Sequence, residues 1–134
     1  MVFGGAYVGV GPLASSYMFN KITGWERLPD MHETKNHNGC GLVTLPDGRK
    51  EVIVVDACHN TNTVESFDLE SRRWKREDNF PFATALCAPT EGTIPFKNSF
   101  LVIGGHRGDG VNSKNIFWVN LLSLQFGIPS FFNE

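Results

Sequence analysis

The sequence predicts an all-β protein: a partial β-propeller made of four-stranded antiparallel blades. Three observations carry that expectation. Short runs of β-branched and aromatic residues recur at about 8–12-residue intervals between turn signals. No window holds a convincing amphipathic helix. One strand-plus-turn pattern returns about every 50 residues, as in a repeat architecture.

The elements follow in order. Strands are expected at 2–4, 15–20, 24–28, 39–44, 51–56, 63–68, 72–76, 83–88, 99–104 and 115–121. Between them stand breakers: Gly9, Gly11 and Pro12; Pro29; Pro46-Asp47-Gly48; Pro81; Pro89; Gly92; Pro95; Gly108 and Gly110. The stretch VESFDLESRRWKRE has some helical character, but Val64, Phe67, Leu69 and Trp74 fit alternation better than a 3.6-residue period.

The repeat sets the register. The chain carries VFGG at 2–5 and VIGG at 102–105, and between them VIVVDA at 52–57 ends where a glycine pair would fall. Asp56 stands 52 positions after Gly4, and Gly104 stands 48 after Asp56. Further on, Phe19 precedes Trp25, Phe67 precedes Trp74 and Val119 precedes Phe126, at spacings of six, seven and seven. Small-residue strands, NGCGLV at 38–43 and TALCAP at 84–89, complete the pattern. Four strands per period make one propeller blade. The approximate units are 1–37, a partial blade; 38–82, a blade; and 83–134, a blade with a divergent end.

On these residues the sequence resembles the kelch repeat family. VFGG and VIGG, SFDLESRRW (like the family's Tyr-Asp-x5-Trp stretch), YMFNKITGW and GRKEVIVVDA carry the likeness, which spans about two and a half repeats. It departs from the family at Asp56-Ala57, which replaces a glycine pair, at Val119 and at Phe126, which replaces Trp. Asp tolerates a left-handed backbone better than Ala, so the turn after VIVV is expected to be rebuilt or strained. Trp25 and Trp74 are expected to pack between blades.

The same glycines could be read as a phosphate cradle in FLVIGGHRGDG. A cradle would occur once and open a helix, whereas this pattern recurs and no helical period follows Gly105.

Composition narrows the function. A net charge of −2 with mixed signs gives no footprint for nucleic acid or an anionic membrane. No apolar run reaches the ~18 residues of a transmembrane helix. The residues after Met1 lack the basic start and continuous apolar stretch of a signal peptide. Because a strand is expected right after Met1, the chain is expected to enter in mid-repeat and to be a fragment.

Chemistry-bearing residues do not converge in any recognisable spacing. His32, His37, Cys40, Cys58 and His59 could hold a metal, but His-x4-His-x2-Cys matches no compact zinc pattern. Cys40, Cys58 or Cys87 could be a nucleophile, yet no base is placed beside them. Asp56, Glu65, Asp68 and Glu70 stand among basic neighbours, as on a solvated rim. The basic stretch SRRWKRE, 71–77, reads as an exposed strand with paired charges. Arg107-Gly108-Asp109 is an integrin-type tripeptide in a glycine-flanked loop.

No catalytic, cofactor-binding or metal-binding residue is therefore assigned, and no cofactor. The expected function is a protein-interaction module that binds a protein partner through rim loops, without catalysis and without nucleic acid or membrane as partner. The alternative implied by the resemblance is a piece of a propeller enzyme of the oxidase, mutarotase or specifier class. Fewer than three blades do not close a ring, so the chain is expected either to assemble with copies of itself or to be completed by flanking repeats.

Overall fold

Alternation of apolar and polar residues, broken by glycine- and proline-rich turns, produces a chain of antiparallel meanders. The computed structural model describes residues 1–36, 38–56, 63–77, 93–96, 99–103, 116–120 and 125–127, the last four stretches by their backbone course. The first sheet contains β1 (Val2–Phe3), β4 (Ser16–Asn20) and β5 (Gly24–Leu28), in that order. A small hairpin of β2 (Ala6–Tyr7) and β3 (Gly11–Pro12) is inserted between β1 and β4. The second sheet is β6 (Gly39–Thr44), β7 (Lys50–Asp56), β8 (Thr63–Asp68) and β9 (Arg73–Arg76). The third is β10 (Thr93–Phe96), β11 (Ser99–Ile103), β12 (Ile116–Asn120) and β13 (Gln125–Gly127). All pairings are antiparallel, and no helix occurs among the described residues.

The three sheets share one register. Phe19 lies opposite Trp25, Phe67 opposite Trp74 and Val119 opposite Phe126. One strand back, Val2 faces Tyr17, Val54 faces Glu65 and Val102 faces Phe117. Phe3, Val55 and Ile103 therefore hold equivalent positions, and the next residues are Gly4, Asp56 and Gly104. Ala57 and Gly104-Gly105 lie outside the described residues. β7 continues through Asp56, opposite Thr63, whereas β1 stops at Phe3; the turn that follows Asp56 lies outside the described residues.

Four strands, β2, β3, β10 and β13, lie outside the expected spans. The β2–β3 hairpin was not anticipated. At the start of the third sheet, β10 occupies 93–96 despite Pro95; it is an edge strand, where a missing N–H is tolerated. The strand expected at 83–88 lies outside the described residues.

The core forms between the first two sheets. Phe3, Leu28 and Met31 pack against Val52, Val54, Phe67 and Trp74. Trp74 meets Phe3 edge-on, with ring centroids 5.5 Å apart at 85°, and Phe67 at 5.0 Å and 50°. Its indole N–H donates to the Pro29 carbonyl at 2.8 Å, so the one polar atom of the ring is satisfied. On the other face of the second sheet Val43, Ile53, Val55 and Val64 are also buried. This explains the unbroken VIVV run, which belongs to a strand covered on both sides. The third sheet approaches the second along β6.

The spacing assigns Trp25 and Trp74 the same packing role, but the structure gives it to Trp74 alone. Trp74 is 8% exposed and Trp25 is 63% exposed, in contact with the equally open Phe19. No sheet lies over that face among the described residues. Trp74→Ala is expected to lower stability by about 3–5 kcal/mol, and Trp25→Ala by less than about 1 kcal/mol, in denaturant titrations of the two variants.

Gly4 has φ +63°, and a Cβ there would collide with the Lys35 carbonyl oxygen. Its partner Gly5 has open space around it and is needed only for its φ of +98°. Gly4→Ala is expected to cost about 2–4 kcal/mol, from strain plus the collision, and Gly9→Ala, which meets nothing, about 1 kcal/mol. Equal losses in chemical denaturation would contradict the collision.

Candidate functional site

The inserted hairpin is the most exposed apolar element of the described chain. Tyr7 pairs with Gly11, leaving Val8, Gly9 and Val10 as the loop, closed by the Val10 N–H donating to the Tyr7 carbonyl at 3.0 Å. Gly9 and Gly11 supply left-handed φ values of +84° and +99°. Tyr7, Val8 and Val10 project into solvent, Val8 being 96% exposed. Residues 1–20 contain no Asp, Glu, Lys or Arg, so this surface is uncharged as well as apolar.

Beneath it the backbone is tied down. The Leu13 N–H donates to the Gly5 carbonyl, the Gly5 N–H to the Lys35 carbonyl and the Lys35 N–H to the Leu13 carbonyl, each at 2.9 Å. The Asn38 amide nitrogen donates to the Phe3 carbonyl at 3.2 Å. An exposed tip on a fixed base has the form of a recognition loop.

Lys35 connects that base to the second sheet. Its side chain is fully buried, with Nζ 3.3 Å from Glu65 Oε1 and donating to Thr63 Oγ1 at 2.7 Å. Glu65, also fully buried, accepts the backbone N–H groups of His32 at 2.8 Å and Glu33 at 3.0 Å. The carboxylate therefore has three donors, two of them backbone, and the burial of both charges is offset by their pairing. This corrects the expectation that Glu65 belongs to a solvated rim. Burial by residues 31–35 is not a pattern visible in β8 alone.

The other singled-out residues do not join this cluster into a reaction centre. His32 is exposed, with ring Nε2 3.3 Å from the Trp74 carbonyl. Cys40 is half-buried, and burial pushes its thiol pKa up, away from a reactive thiolate. Asp68 sits at the β8–β9 turn, its carboxyl held below the usual range by the Ser71 and Glu70 backbone N–H groups and by Arg49. Glu70 is exposed. Three of the four basic residues of the stretch are paired: Arg72 with Glu26 and Arg76 with Glu33, each at 2.7 Å, and Lys75 with Glu77 at 2.8 Å. His37, Cys58, His59, Cys87 and Arg107-Gly108-Asp109, together with the Asp56 side chain, lie outside the described residues. Among the described residues no three His, Cys, Asp or Glu side chains converge as metal ligands.

Sequence reasoning missed the hairpin and the buried pair. The hairpin had a signal, since Tyr7 and Gly11 flank a three-residue loop containing glycine. Lys35 had none, lying in the polar run HETKNHN. Comparison with protein-family models finds no match, and neither does comparison with curated proteins.

Lys35→Met should leave the Glu65 carboxylate buried without its cation and cost about 3–5 kcal/mol. Adding Glu65→Gln should restore part of that loss, and a double-mutant cycle by denaturant unfolding measures the coupling. Additive losses would mean that the two side chains do not interact.

Proposed function

We propose that the chain is a segment of a kelch-type β-propeller that binds a protein partner through its rim loops and does no catalysis. Three antiparallel meanders in one register support the repeat reading, each corresponding to a whole or partial blade. The observation that carries the binding reading is the hairpin tip: Tyr7, Val8 and Val10 are solvent-exposed on a base fixed by Lys35. An uncharged apolar tip suits the apolar or aromatic surface of another protein better than a polyanion or a charged small molecule.

Exposed tip residues contribute little to folding, so binding and stability are separable. Val8→Asp/Val10→Asp should change stability by no more than about 0.5 kcal/mol. In quantitative affinity capture, proteins retained by the native chain should be lost with this variant. Identical capture by both proteins would remove the hairpin from the interface, and turnover of a substrate by the purified chain would contradict the absence of catalysis.

A further inference from the structure

The first sheet repeats, on its outward face, the surface that the second sheet buries. Val2, Tyr17, Phe19 and Trp25 occupy the register positions of Val54, Glu65, Phe67 and Trp74. The aromatic pair is set in the same way in both. Phe19 and Trp25 have centroids 5.2 Å apart at 56°, and Phe67 and Trp74 5.0 Å apart at 50°. The second pair is covered by the neighbouring sheet, through Phe3, Leu28 and Met31. The first is open, with Phe19 54% and Trp25 63% exposed. Glu65 has been replaced by Tyr17, so the open face has no carboxylate where the buried one needs Lys35; the charged group beside Tyr17 is Arg27, its cross-strand partner, which is paired with Asp30.

A face of this kind is matched by the back of a sheet from the same repeat. In the internal interface the covering sheet brings Phe3, Leu28 and Met31, with Met18 packed beside them. In the third sheet the register positions of Phe3 and Met18 hold Ile103 and Trp118, both apolar. The chain thus has an open aromatic face at its first sheet and apolar residues at the covering positions of its third. We propose that the Phe19–Trp25 face docks on the third sheet of a second copy of this chain, head to tail, reproducing the contact between the first and second sheets. Such a contact is heterologous, so it builds a closed ring or a growing stack rather than an isologous pair. The inference rests on the repeated register and not on the role of the hairpin.

The test is light scattering of the purified chain over a range of concentrations, with hydrogen exchange at its two extremes. The native chain should associate as concentration rises, and amides of both 16–28 and 99–127 should become protected. Trp25→Arg and Phe19→Glu should each return the mass to that of one chain while leaving the thermal transition equal to that of the native chain at the low, non-associating concentration. Val8→Asp/Val10→Asp should associate like the native chain, which separates this surface from the hairpin. A native chain that remains monomeric overturns the proposal. Protection confined to 16–28 would show two first sheets meeting face to face and would overturn it equally, as would association that survives both substitutions.

Discussion

The buried carboxylate of Glu65 is the point on which the described structure depends. It holds the chain where it crosses from the first sheet to the second, by accepting the His32 and Glu33 N–H groups and pairing with Lys35. Those contacts fix residues 31–35 against the second sheet, so that Met31 enters the core beside Trp74. They also fix the Lys35 backbone, which in turn anchors the hairpin through Gly5 and Leu13. A hydrophobic contact is non-directional and could not set this register alone. The buried pair supplies direction, and the surrounding apolar side chains supply most of the favourable free energy.

The exposed ion pairs have a different weight. Arg72–Glu26 and Arg76–Glu33 cross between the same two regions as the buried pair, but in solvent. Exposed pairs of this type contribute about 0–1 kcal/mol each. They follow from sheets that are already placed and do not place them. Asp68 acts locally as well: its carboxylate caps the turn from Glu70 to Ser71, where Arg72 takes a φ of 58°.

Much of the strand pattern was legible in the sequence because it is local. Alternation located β4 through β9, and the recurring Phe–Trp spacing identified residues that stand opposite each other in the sheets. Periodicity could not tell Trp25 from Trp74, because their local sequences are alike and only the presence of a neighbouring sheet separates an exposed ring from a buried one. Pro95 hid β10 for a related reason: proline breaks a central strand but not an edge strand, and edge position is a property of the sheet. Lys35 and Glu65 lie 30 residues apart with no shared pattern, so their pairing was not readable at all.

The divergence between repeats has a physical direction. At the position where the second sheet has Glu65, the first has Tyr17 and the third Phe117. A carboxylate is tolerable only where a crossing segment supplies donors, and residues 31–35 do so for the second sheet alone among the described residues. An aromatic residue at the same position needs no such segment; it needs only an apolar surface to lie against. The charged and uncharged versions of one position thus separate two kinds of contact. The first is locked by hydrogen bonds within the chain. The second depends on shape and burial, and is therefore the kind that another body can form and release.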